Sequence, residues 1–341
     1  MSDASDPATP SPSRRRIPGW ASLVLRLAAT AALMAYALRG IDWGGFRRVL
    51  AQADWRWWLA GFATSLAVQV VAGARWAALA RPIGFPFPRS FFVWRFFEGM
   101  FFSLCLPSSI GGDVVKAYRL GDTGPRRLLA GCTVLADRLT GLAALAALAG
   151  TAIIATEYEL GTAATMGVAA ALVLAVLALF RLGVGSLDRL LAVLPTPHPA
   201  REFIGRLLPY QRRPSLLTKA VAWSFVVQIG GAVAVAFIAR ALAVQVPLTV
   251  WFSVVPLVAL AMVLPISING VGVREGGLKL LLAPHGVAAE QAVAVGLLWF
   301  LGTVLAGLIG GVLFLLDRTP AGVAVAPQGA AGSAAVDDPR A

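Results

Sequence analysis

Eight apolar stretches follow one another along this chain, at 23–38, 57–79, 91–106, 128–154, 163–180, 216–238, 246–264 and 288–316. A helix needs about 20 apolar residues to cross the hydrocarbon core of a bilayer. Repeated stretches of this kind dictate an all-α fold, a polytopic bundle of transmembrane helices with about six to eight membrane segments. Composition agrees, because only 13% of the residues are charged, where soluble domains carry about 25%. The largest polar loop, 182–215, is short and Pro-rich, which leaves no room for a separate soluble catalytic domain.

A net charge of +12 could signal nucleic acid, but no basic run sits on a recognisable reading element. The excess Lys and Arg is read instead as topology signal and lipid-headgroup contact. Cys105 and Cys132 lie inside apolar stretches, and His198 and His285 have no metal-ligand spacing around them. No disulfide, metal site or cofactor follows. Residues 1–19 and 318–341 lack anything to bury and are expected to be disordered tails, the first cytoplasmic, around a membrane domain at 20–317. Arg14, Arg15 and Arg16 before the first stretch, with Ala35-Tyr36-Ala37 near its end, imitate a signal peptide. With so many later spans, an uncleaved first helix is expected.

The basic loops set the orientation. Arg14–Arg16 place the N-terminus inside, as do Lys116, Arg119, Arg126 and Arg127 for their loop and Arg189, Arg201, Arg206, Arg212 and Arg213 for theirs. These assignments conflict if every stretch spans. The conflict disappears if 91–106, which ends at Pro107, dips in and returns on the same side. Irregular backbone at membrane depth is tolerated only inside protein or beside a watery cavity, so a re-entrant segment here implies one.

Two segments carry the functional signal, and they resemble each other. Leu106-Pro107-Ser108-Ser109-Ile110-Gly111-Gly112-Asp113-Val114-Val115-Lys116 is matched by Leu264-Pro265-Ile266-Ser267-Ile268-Asn269-Gly270-Val271-Gly272-Val273-Arg274, with Glu275 next. Pro/Gly breaks at matching places in two halves mark a transporter-type site and suggest internal, inverted repeats. In that arrangement 246–264 dips from outside, which sets Arg274 and Lys279 against the charge rule. Gly111, Gly112, Gly270 and Gly272 would let backbone approach a ligand, Lys116 and Arg274 would hold an anion, and Asp113 and Glu275 would orient those cations. A plain helix break with an interfacial charge cluster is the other reading. Asp137 and Arg138, a third of the way into 128–154, read either as a site or as an ion pair. Arg95 and Glu98, one turn apart, divide the same way, whereas Arg75 and Arg26 can snorkel and Gln69 and Gln228 suit helix–helix contacts.

Together, Pro107 to Lys116, the Asp137-Arg138 pair and Pro265 to Glu275 resemble the membrane domain of lysylphosphatidylglycerol synthases, which also occurs alone as flippase-like integral membrane proteins. The resemblance covers about residues 23–316. Lys116 stands where an Arg is more usual, which keeps the charge and gives up bidentate binding. The resemblance implies a multi-pass protein of the inner (cytoplasmic) membrane that binds or translocates a lipid headgroup. Its partner would be an anionic or aminoacylated phospholipid or a polyprenyl-phosphate lipid. The substrate-binding set would be Gly111, Gly112, Asp113, Lys116, Asp137, Arg138, Gly270, Gly272, Arg274 and Glu275, with no catalytic residue. An intramembrane transferase on a lipid-linked substrate, and a non-catalytic partner of a lipid-modifying enzyme, are the alternatives.

Overall fold

The computed structural model describes residues 19–106, 111–157, 161–193, 195 and 199–317. Residues 107–110 of the first motif and both tails lie outside the described residues. Among the described residues all regular structure is helical. The helix α1 (Gly19–Leu38) leads through Gly40 into the nine-residue α2 (Trp43–Ala51), which turns away by 87°. Asp42 fixes that turn, because its two carboxylate oxygens accept the N–H groups of Gly44 and Gly45 at 2.9 Å. There follow α3 (Trp55–Ala80), α4 (Arg89–Cys105), α5 (Gly111–Leu120), α6 (Gly124–Glu157), α7 (Thr162–Gly185), α8 (Leu187–Val193) and α9 (Pro199–Arg212). The chain ends with α10 (Pro214–Ala241), α11 (Leu248–Val263), α12 (Val273–Leu282) and α13 (Ala289–Leu316).

Four helices, α3, α6, α10 and α13, are long and apolar enough to cross a membrane, and α1 with α2 makes a fifth if the bent pair is one span. The apolar stretch at 163–180 is helical within α7, which packs on α6. The stretches 91–106 and 246–264 form the short helices α4 and α11, and each is the first arm of a hairpin. After α4, the chain returns as α5 with Gly112 beside Gly99, Lys116 over Phe96 and Arg119 beside Glu98. After α11, it returns as α12 with Gly270 against Met262 and Gly277 against Val258. Both hairpins are antiparallel; the second motif runs between α11 and α12, and of the first motif Leu106 and Gly111–Lys116 are described.

Contacts between helix ends show that the hairpins enter from opposite ends of the bundle. At one end, Arg126 at the start of α6 donates to the Gly84 carbonyl, and Arg213 donates to that of Pro82, both at 3.3 Å. The Tyr210 hydroxyl donates to the Leu79 carbonyl at the same end. Exposed Arg81, Arg89, Arg212, Arg213 and Lys219 gather there. At the other end, Asp54 N–H donates to Ala241 O at 2.9 Å, Gln291 Nε2 to Leu242 O at 3.2 Å, and Asp42 N–H to Glu290 Oε1 at 3.0 Å. The α4–α5 hairpin starts at the basic end, and α11–α12 starts at the opposite one.

Along α13, the tip of the first hairpin reaches Gly307, which meets Leu104, and the tip of the second reaches Phe300, which faces Arg274. Seven residues of helix separate these levels, about 10 Å. Two units of the same order, α3–α4–α5–α6 and α10–α11–α12–α13, therefore run antiparallel with their hairpin tips near mid-depth. Their hairpins are exchanged: α4 packs on α13 of the other unit, α11 packs on α6, and α3 lies along α10. Gly310 allows the closest of these approaches, since a Cβ there would collide with the Phe97 carbonyl. Gly112 does the same for the hairpin itself, where a Cβ would strike the Gly99 carbonyl and Ser103 Oγ.

In a variant free of native cysteine, cysteines at exposed Ser90 and Thr123 should label from the same side of the membrane. Cysteines at exposed Gln245 and His285 should label from the other side. Labelling of Ser90 and Thr123 from opposite sides would refute the first hairpin.

Candidate functional site

Charged side chains on α4, α5, α6 and α12 are forced by their helices to lie at membrane depth, so each must find a partner or face a cavity. A cavity of about 560 Å³ lies between α5, α6 and α11. Its wall includes Asp113 and Val114 of α5, Gly131 and Arg138 of α6, and Met262 and Val263 of α11. The first hairpin thus supplies one wall and the first arm of the second hairpin supplies another. Val114, Leu135 and Val263 are exposed at 60%, 42% and 51%, so much of the accessible lining is apolar.

Arg138 and Asp113 are the charged groups of the wall. Arg138 Nε lies 2.7 Å from Asp113 Oδ2, and its side chain is 57% exposed. The other carboxylate oxygen, Oδ1, accepts from Lys116 Nζ at 3.3 Å. Lys116 is buried, with Nζ 4.1 Å above the Phe96 ring, so an aromatic face supplements its single carboxylate. This trio can present a guanidinium to an anion, while Asp113 keeps two cations oriented. The sequence singled out all three residues, and the structure brings them together.

The adjacent Asp137 and Arg138 part company. Successive residues on a helix point about 100° apart, and Asp137 turns into the bundle instead of the cavity. Its Oδ1 accepts from Arg75 Nε at 2.8 Å, and Arg75 also donates to Ser224 Oγ at 2.7 Å. Arg75 does not snorkel, as its place near a helix end suggested; it is 6% exposed and ties α3, α6 and α10 together. Gln228 donates to the Gly141 carbonyl at 3.3 Å and adds a contact between α10 and α6.

The second motif is closed on itself. Arg274 and Glu275 are buried, at 1% and 0% exposure, and Arg274 Nε and Nη2 donate to Glu275 Oε1 at 3.0 and 2.9 Å. Glu275 Oε2 accepts the Gly272 N–H at 2.6 Å and so caps α12. Phe300 lies 4.8 Å from the guanidinium carbon and covers its face. Gly272, at φ +84°, sits against Leu33 and Met34 of α1. Gly270 meets Met262, and Gly111 meets Leu106. Of the residues expected to bind substrate, Asp113, Lys116 and Arg138 form the cavity's charge trio. Gly111, Gly112, Asp137, Gly270, Gly272, Arg274 and Glu275 instead meet other parts of the protein.

Sequence reading set Arg95 beside Glu98 but missed the rest of their cluster. Arg95 contacts Glu98 at 2.6 Å and also Asp317, while Arg119 lies 3.5 Å from Glu98 and 3.3 Å from Asp317. These four side chains join α4 and α5 to the end of α13. The available signal was Asp317, an acid placed directly after the last apolar stretch.

Removing one partner of a buried ion pair leaves an uncompensated charge. Arg75→Ala should therefore destabilise the folded protein by about 3–5 kcal/mol. Arg138→Gln, at a half-exposed position, should cost less than about 1 kcal/mol. Thermal unfolding of the detergent-solubilised variants tests this contrast, and equal losses would refute the division between structural and cavity charges.

A family model described as lysylphosphatidylglycerol synthase TM region matches residues 23–311. No curated protein matches the chain. The family match runs from α1 into α13 and takes in both hairpins and all three walls of the cavity. This multi-pass membrane protein belongs to the lysylphosphatidylglycerol synthase TM region family.

Proposed function

We propose that the protein is a flippase-like lipid handler of the cytoplasmic membrane, which holds a polar phospholipid headgroup in the α5–α6–α11 cavity while the acyl tails stay in lipid. The observation that carries this reading is the half-exposed Arg138 guanidinium, held by Asp113 in a cavity whose exposed rim is apolar. A headgroup needs polar partners at depth and its tails need none, so a charged group beside an accessible apolar lining suits a lipid better than a water-soluble solute. The basic end, by the charge rule, faces the cytoplasm. Lys279, which the rule disfavours on the outer side, donates to the carbonyls of Ala37 and Arg39 at 3.2 and 2.7 Å. Those carbonyls end α1, and a cation is favourable there.

In this reading Arg138 binds the headgroup, Lys116 and Asp113 set its position, and Asp137, Arg274 and Glu275 hold the helices that shape the cavity. Two inverted units with broken segments at mid-depth supply the basis for two access states. The test is movement of acyl-labelled phospholipid between the leaflets of proteoliposomes. Wild type should accelerate movement over protein-free vesicles, and Arg138→Ala should slow it roughly tenfold, the loss of one charged hydrogen bond. No acceleration with any phospholipid would refute translocation and leave an intramembrane transferase or a partner of a lipid-modifying enzyme as the remaining readings.

A further inference from the structure

Among the described residues, four groups of ion-paired side chains lie at membrane depth, and three of them balance. Arg75 is matched by Asp137. Arg95 and Arg119 are matched by Glu98 and Asp317. Arg274 is matched by Glu275. The fourth group is the cavity trio, where Lys116 and Arg138 share the single carboxylate of Asp113. Among the described residues no further acid pairs with either cation. In a low-dielectric setting an uncompensated charge is costly, so a fold that neutralises three clusters leaves the fourth open for a reason.

The excess continues toward the basic end. Val114 lines the cavity on α5, and Tyr118 lies one turn further along the same face; Gly131 lines it on α6, with Arg127 one turn back. The Arg127 guanidinium lies 4.0 Å over the Tyr118 ring and donates to the Gly121 carbonyl at 3.3 Å. A guanidinium therefore stands beyond the cavity lining toward the basic end, and a second stands 11 residues further along α6 at Arg138, about 16 Å along the helix.

We infer that the missing negative charge belongs to the ligand, so that the lipid taken by this cavity is anionic: a phosphate headgroup with no ammonium to cancel it. This rests on the lipid-handling reading above and narrows it. An aminoacylated headgroup would bring a further cation beside Lys116 and Arg138 and would be repelled. The phosphate could be the diester of a glycerophospholipid or the terminal group of a polyprenyl phosphate, because both supply the same oxygens to Arg138.

Native mass spectrometry of the purified full chain tests this. The protein is offered equal amounts of phosphatidylglycerol, polyprenyl phosphate, lysylated phosphatidylglycerol and phosphatidylcholine. One or both of the first two should be retained roughly tenfold over the others, the effect of one charged hydrogen bond. Whichever of the two leads identifies the source of the phosphate. Arg138→Gln should remove the preference, and Asp113→Asn, which deletes the competing carboxylate, should widen it. Misfolding cannot produce these opposite signs. Preferred retention of the lysylated lipid, or a preference that neither variant moves, overturns the inference. The assay needs no lipid movement: a selective protein that moves nothing in vesicles would refute translocation and leave the substrate class standing.

Discussion

A bilayer interior offers no water to unpaired backbone amides and carbonyls, and each one left bare costs several kcal/mol. The broken segment between α11 and α12 persists because neighbouring side chains satisfy its backbone. Glu275 supplies an oxygen to the Gly272 N–H, and Thr30 of α1 supplies its hydroxyl oxygen to the Ile268 N–H at 2.9 Å. Glycines on α13 let α4 pack closely against it. The cavity lies where one arm of each hairpin, α5 and α11, meets α6.

Electrostatics then separates scaffold from site. Paired charges sit where three or more elements converge: Arg75 with Asp137 among α3, α6 and α10, and Arg95 and Arg119 with Glu98 and Asp317 among α4, α5 and α13. Such pairs fix register, because shifting a helix by a residue would strand a charge in a medium that cannot solvate it. The cavity trio differs in having one half-exposed member and one cation in excess. Adjacent residues of α6 serve the two purposes, Asp137 the scaffold and Arg138 the cavity wall.

Much of this was legible in the sequence. The conflict between basic loops and apolar stretches was enough to make 91–106 a hairpin, and the resemblance of Leu264–Arg274 to Leu106–Lys116 was enough to expect a second. Asp113, Lys116 and Arg138 were identifiable as charges with nowhere apolar to go. The fate of Arg274 was not, because the covering Phe300 and Trp299 come from a helix that starts beyond the motif. Nor was the Arg75–Asp137 pair, which joins residues 62 positions apart. Local pattern shows that a charge needs a partner, and only tertiary packing decides which.

The exchanged packing of the hairpins has a consequence for biosynthesis. The surface that seals α4 is the C-terminal half of α13, more than 200 residues later in the chain. At about 5–20 residues per second, that interval lasts on the order of 10–40 s. Throughout it the first hairpin has left the ribosome without its lid, with Arg95 and Glu98 lacking Asp317. The N-terminal unit therefore cannot mature alone, and closure of the bundle is a single late event.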